Sequence, residues 1–74
     1  MTITNAQTAA AWIRTFGPRG PGPGYLGAAI DGQHLAASVE QARGNTDAAA
    51  NHLEAVGALR AAYFARTGRA YLGA

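Results

Sequence analysis

An eight-residue run rich in glycine and proline, GPRGPGPG at positions 17–24, divides this chain of 74 residues into two unequal parts. Proline donates no backbone hydrogen bond and fixes its own φ angle, and the run shows no apolar period. It therefore predicts a connector between structured segments. A collagen-like structure is excluded because the glycine spacing changes from three residues to two after Gly20. The pair Pro18 and Pro21 also fits the loose PxxP pattern of SH3 ligands, although a plain connector is the simpler explanation.

The residues before the connector carry the apolar spacing of one short helix. Four apolar residues recur at intervals of three and four, which places them in one stripe along a helix. They are Ala9, Trp12, Ile13 and Phe16. The segment Thr4 to Gln7 fits a capping box, in which the threonine hydroxyl accepts from a free amide and the glutamine reaches back. Since Gly17 and Pro18 then stop the helix, we expect helix 1 over about residues 5–16.

The residues after the connector predict a helical hairpin. In helix 2, expected over about 25–43, Leu26 and Ile30 share one face, and a second group of apolar residues lies on the opposite face. That second group is Ala28, Leu35, Val39 and Ala42. A helix that is apolar on two sides is expected to lie between two neighbours. We expect helix 3 on one side and helix 1 or a partner on the other.

Helix 3 is expected over about 46–67, and a short turn makes it an antiparallel neighbour of helix 2. The chain is thus predicted to be one all-α domain over residues 1–74, with three helices and a tail at 68–74. This register places Gly32 opposite Gly57 and predicts a close helix crossing, although two unrelated glycines in a glycine-rich chain explain the pattern equally well. It also places Asp31 within one turn of Arg60, as a surface ion pair.

Alanine dominates the apolar residues, and this limits the core that the chain can build alone. Of the 36 hydrophobic residues, 19 are alanine, and there is no cysteine for disulfides or thiolate metal sites. Small single cores rarely supply more than about 3–5 kcal/mol of net stability. We therefore expect self-association or docking onto a larger complex, with alanine-covered helix faces packing closely.

The sequence Tyr-Leu-Gly-Ala occurs twice, at 25–28 and at 71–74, each time at some distance after an Arg-Thr pair. Chance in a chain of low complexity explains this repetition. The functional alternative is that the second copy docks in the groove that the first occupies, on the same or a neighbouring chain. Bulky side chains near a terminus are costly to expose unless they pack. The predicted partner contacts are Tyr25, Leu26, Tyr71 and Leu72.

The residue types that carry catalysis or bind metals are too few and too scattered to predict an active site. Four acids and two histidines are spread along the chain, and Ser38 is the only serine. Asp31, His34 and His52 come within reach of one another in the hairpin, but a structural zinc site needs four ligands. We therefore predict no enzyme activity, no cofactor, no metal site and no small-molecule substrate.

An arginine patch that binds nucleic acid is the competing interpretation. The chain has six arginines, no lysine and a net charge of +2. Four arginines flank the connector and the end of helix 3, and these ends can meet in the fold. They are Arg14, Arg19, Arg66 and Arg69, with Tyr71 or Trp12 available for base stacking. A helix-turn-helix is not supported because residues 46–52, which would open the recognition helix, contain no arginine or lysine.

The sequence as a whole predicts a small non-enzymatic assembly protein that forms a homo-oligomer or serves as an accessory subunit of a larger complex. Its size and composition suit a component of a phage or another mobile element. No apolar run reaches the roughly 20 residues of a membrane span, and no signal peptide is recognised. The absence of cysteine agrees with a reducing compartment, so we expect a cytoplasmic location.

Overall fold

A computed structural model describes residues 2–73, and within that range it contains three α-helices and no strand. α1 spans Ala6–Arg14, α2 spans Pro23–Ala42 and α3 spans Thr46–Thr67. α2 and α3 pack against each other as an antiparallel hairpin, and α1 packs against α3. The predicted all-α fold is confirmed. The first residue of the predicted domain and the last residue of its tail, Met1 and Ala74, lie outside the described residues.

α3 has the bounds that the sequence predicts, whereas the other two helices differ by a few residues. α1 is shorter at both ends because Asn5 caps its start and Thr15 its end. α2 begins at Pro23, inside the predicted connector, with Gly22 as its N-cap. A proline at the first helical position gives up no hydrogen bond, since that amide has no partner within the helix. The connector between α1 and α2 therefore covers residues 15–22.

The capping box of α1 lies one residue later than predicted. Asn5 Oδ1 accepts from the Thr8 amide at 2.8 Å, and Thr8 Oγ1 accepts from the Asn5 amide at 3.0 Å. Thr4 and Gln7 therefore do not form the box. Asparagine caps helices at least as well as threonine does. The Thr8 hydroxyl accepts the return hydrogen bond that the sequence predicts for Gln7.

The core lies where the three helices meet and contains small side chains as well as large ones. Its buried members are Ala9, Leu26, Ile30, Ala55, Val56 and Leu59. Ala9 on α1 and Ala55 on α3 are both fully buried, and their small side chains allow the two helices to approach closely. Trp12 and Tyr63 pack against the edge of this cluster.

α3, rather than α2, is the helix with neighbours along two sides. The start of α1 lies near Asn51 and Glu54, and its last residue lies near Arg66. α1 therefore runs parallel to α3, and no other helix within residues 2–73 lies against the second apolar side of α2. Of the two neighbours expected on that side, helix 1 or a partner, helix 1 is excluded because the connector returns α1 along α3.

Gly32 and Gly57 do not mark a close helix crossing, so this prediction is wrong. A Cβ built on either glycine meets no atom of residues 2–73 within 4 Å apart from its immediate chain neighbours and the backbone of its own helix. The register fixes the height of a residue along the hairpin but not the side that it faces. Gly32 lies two residues after the buried Ile30, about 200° further around the helix, and so it faces away from α3.

Candidate functional site

Tyr71 holds the segment after α3 against the hairpin. Its hydroxyl donates to Asp31 Oδ2 at 2.8 Å, and its ring packs edge-on against Tyr63 with centroids 5.1 Å apart. The predicted ion pair between Asp31 and Arg60 is absent from residues 2–73, where the one ion pair found joins Arg43 and Glu40. The Asp31 carboxylate is bonded by the tyrosine instead.

Gly27 leaves the space in which the Tyr71 ring lies. A Cβ at Gly27 would stand 2.9 Å from Tyr71 Cε1, which is closer than real Cβ contacts. Gly27 belongs to the first Tyr-Leu-Gly-Ala sequence and Tyr71 to the second. The second copy therefore contacts the first within the same chain, over the part of it that the structure describes.

The Asp31 carboxylate raises the pKa of Tyr71 above its ordinary value of 10.0, chiefly by accepting the hydroxyl hydrogen bond. Desolvation and the negative charge of Asp31 act in the same direction, and the positive charge of Arg60 acts against them. Because the folded pKa is raised, the docked tail favours the neutral hydroxyl. Its contribution to stability is therefore fully present below pH 10 and is lost as the pH rises through the raised pKa.

We expect Gly27→Ala to weaken the docking of the tail and to stabilise α2. Alanine favours a helix interior by about 1 kcal/mol over glycine, but the new methyl group displaces the Tyr71 ring and offsets this gain. In a Tyr71→Ala background no ring is displaced, so the same substitution raises the free energy of unfolding by about 1 kcal/mol. Thermal unfolding of the wild type, the two single variants and the double variant measures the coupling between Gly27 and Tyr71.

The matched control for this cycle is Gly57→Ala, because Gly57 lies inside α3 and away from the tail, and a Cβ there meets no other part of residues 2–73 within 4 Å. It is expected to stabilise the chain equally in both backgrounds. Equal effects of Gly27→Ala in the two backgrounds would show that the tyrosine does not lie on this glycine.

The four predicted partner contacts fall into three different environments. Tyr25 and Leu72 are exposed, and Leu72 keeps 93% of its area accessible. Tyr71 is half-buried against its own chain. Leu26 is only 1% exposed and belongs to the core, so its prediction as a partner contact is wrong. The helical spacing that it shares with Ile30 places it on the inner side of α2.

Three of the four predicted patch arginines, Arg14, Arg19 and Arg66, line one groove of about 620 Å³ beside the connector. We call this the arginine groove. Arg66 Nη1 donates to the Arg19 carbonyl oxygen at 2.8 Å and holds the connector over the end of α3. Arg69 does not line the groove, and its amide donates to Thr67 Oγ1 at 3.1 Å.

The two aromatic residues expected to stack on bases are also placed elsewhere. Trp12 packs against the core, and Tyr71 lies on Gly27. Neither ring lines the arginine groove. The apolar floor of the groove is formed by smaller side chains instead. These are Ile13, Ala62 and Ala65; Leu26 also borders the groove but is almost wholly buried.

The candidate metal ligands do not converge. His52 Nδ1 lies 2.6 Å from Gln33 Oε1, while Asp31 accepts from Tyr71. Across residues 2–73 no group of three or more histidine, aspartate or glutamate side chains is arranged to hold a metal ion. Gln33 also donates to the Ile3 carbonyl oxygen at 3.0 Å, and it thereby ties the start of the chain to α2.

The second apolar side of α2 is exposed along much of its length, and we call it the outward face. Its five residues are Ala28, Gly32, Leu35, Val39 and Ala42. None of them is charged, and Leu35 keeps 66% of its area accessible and Val39 39%. The periodicity of the sequence identifies this face, and no helix in the described part of the chain, residues 2–73, covers it.

The chain matches no known family model, no curated protein and no solved structure at a significant level. None of its helices over residues 2–73 combines the length and the apolar character needed to cross a membrane.

Proposed function

We propose that this protein is a non-enzymatic assembly protein that pairs with a second copy of itself through the outward face of α2. The observation that carries the proposal is the exposure of Leu35 and Val39 on a helix face without charges. Isolated exposed leucines are ordinary on protein surfaces. A contiguous apolar strip along a whole helix is instead typical of a surface that packs against another helix.

The order of large and small residues along this face favours a second copy as the occupant. When two α2 helices pack antiparallel with Val39 opposite Ala28, each large side chain of the face meets a small one. Leu35 then lies opposite Gly32. Tyr25, one turn beyond the face, lies opposite Ala42. A twofold pairing repeats every such contact, which makes the face complementary to itself.

Electrostatics permit the same pairing. The outward face has no charged residue, so two copies meet without the like-charge repulsion that disfavours many self-contacts. A Cβ at Gly32 would also meet no neighbouring element of residues 2–73 within 4 Å, which leaves room for the facing leucine. Small residues at a helix contact shorten the distance between the axes.

The size of the face sets the expected affinity. Standard stable interfaces bury about 800 Å² on each partner, which is roughly a sixth of the 4584 Å² of accessible surface on this chain. α2 has 20 residues and is about 30 Å long, so one of its faces supplies less than that. Interfaces below about 1,200 Å² in total are typical of weak complexes. We therefore expect a dimer that dissociates at micromolar concentrations.

Sedimentation equilibrium of a reciprocal pair of substitutions tests the contact. Gly32→Leu places a leucine against the facing leucine, and Leu35→Ala removes the side chain that fills the space at Gly32. Each single change is expected to raise the dimer dissociation constant at least about tenfold, equivalent to 1.4 kcal/mol. The double variant again pairs large with small and is expected to recover most of the affinity.

The control is Ala61→Leu, because Ala61 is exposed on α3 and lies outside the contact. It is expected to leave the dissociation constant unchanged. A wild-type chain that stays monomeric up to about 1 mM overturns the proposal. If the single changes leave the dissociation constant unchanged, or if the double variant dimerises more weakly than both single variants, any dimer contact lies elsewhere.

A further inference from the structure

We infer that the arginine groove binds the phosphate groups of a nucleotide, either as a free molecule or as one unit of a single strand. This inference rests on the groove alone and does not depend on pairing through the outward face. The three arginines reach the groove from separate segments of the chain. Arg14 is the last residue of α1, Arg66 lies in the last turn of α3, and Arg19 lies in the connector between α1 and α2.

The positive charge of this groove is not neutralised by the chain. No aspartate or glutamate lines it, and none of its arginines belongs to an ion pair within residues 2–73. The carboxyl ends of α1 and α3 each carry about half a negative charge from the helix dipole, and the start of α2 adds about half a positive one. Three guanidinium charges outweigh these partial charges.

A single arginine at a helix end is explained by its interaction with the free carbonyl groups there. This explanation does not account for Arg19, which lies in the connector outside any helix. The hydrogen bond from Arg66 to the Arg19 carbonyl oxygen holds the connector at the groove while leaving the Arg19 side chain out of that bond. Guanidinium groups bind phosphate oxygens through paired N–H donors.

The size of the groove leaves room for a ligand larger than inorganic phosphate. Its volume of about 620 Å³ lies within the range of small-molecule sites, roughly 300–1,000 Å³. Ile13, Ala62 and Ala65 give part of its surface an apolar character. A nucleotide offers charged phosphate for the arginines and a flat base for the apolar part, and these two properties match the two kinds of lining.

The experiment uses fluorescence anisotropy of two labelled probes, a single-stranded oligothymidylate and adenosine triphosphate, and unlabelled adenosine triphosphate also competes against the oligonucleotide. For single strands, the logarithm of affinity falls by about 0.7 per phosphate contact for each decade of salt. Three contacts therefore predict about a twentyfold loss of affinity between 50 and 200 mM salt. For the double variant Arg14→Gln/Arg19→Gln we expect about a threefold loss over the same range, and weaker binding at each salt concentration.

The control is Arg43→Gln. It also removes an arginine charge, but Arg43 is paired with Glu40 and lies at the other end of the hairpin. It is expected to bind like the wild type. Binding of the oligonucleotide without competition by the triphosphate assigns the groove to a strand, and full competition assigns it to a free nucleotide. The inference is overturned if the wild type binds neither ligand at low salt, or if Arg43→Gln loses as much affinity as the double variant. Circular dichroism of each variant confirms that it is folded.

Discussion

Replacing Leu59 with alanine is expected to lower the free energy of unfolding by about 2–5 kcal/mol. Leu59 is fully buried on α3, in the cluster that also contains Leu26 and Ile30. The loss includes the transfer free energy of the side chain and the cavity left behind. Because the other core members include two alanines, Ala9 and Ala55, few neighbouring side chains can move to fill that cavity.

The effect on thermal stability is expected to be correspondingly large. In a domain of this length, each kcal/mol shifts the midpoint of unfolding by about 4–8 °C. Circular dichroism during heating measures the shift. Leu72→Ala is the matched control, because Leu72 loses almost no area on folding, and we expect it to change stability by less than about 0.5 kcal/mol. Similar losses for the two variants would contradict the position of the core.

Ala55→Leu is expected to destabilise the chain by about 1–3 kcal/mol for the opposite reason, since it overfills the core. Ala55 is fully buried in the same cluster as Ala9 of α1. The added side chain therefore pushes α1 away from α3. Trp12 is the only tryptophan and packs against this cluster from α1, so its fluorescence is expected to shift to longer wavelength as it becomes solvated.

A leucine at Ala61 provides the comparison for this prediction. Ala61 is exposed on α3, so the larger side chain has room and is expected to leave both the unfolding midpoint and the Trp12 spectrum nearly unchanged. Equal effects at the two alanines would show that α1 does not pack on the part of α3 that contains Ala55.

The sequence predicts the helices because their signals are local. Apolar spacing identifies each helix, and Gly44 and Gly68, which both adopt positive φ angles, mark the ends of the second and third. The opposed apolar sides of α2 also follow from spacing alone. Which helix covers which side depends on the path of the connector, and the sequence does not define that path.

The contacts made by Tyr71 cannot be predicted in the same way. Its partner Asp31 is 40 residues away in the sequence, and a glycine that admits a distant ring has no local signal to distinguish it from Gly32. Repetition of the Tyr-Leu-Gly-Ala sequence is the one indication that the chain offers. It points to docking of the second copy where the first lies, but not to a ring of one copy lying on a glycine of the other.

The arginine groove shows which site residues the positions of arginines in the sequence can predict and which they cannot. The positions of arginines near two helix ends indicate that they meet, and the structure brings Arg14, Arg19 and Arg66 to one groove. Arg69 is excluded because α3 ends at Gly68 and the tail then runs to Tyr71 beside Asp31. The direction that the chain takes after Gly68, which has a positive φ angle, depends on contacts made by residues further along the tail.

The separate position of α1 has a consequence for the order of folding. α1 has nine residues, and isolated helices shorter than about 12–15 residues are marginal in water. The α2 and α3 hairpin closes through one short turn, so its contacts form between segments that are close in sequence. We therefore expect α1 to become helical by docking on a hairpin that has already formed, and we expect its amides to exchange with solvent through local opening while the hairpin stays intact.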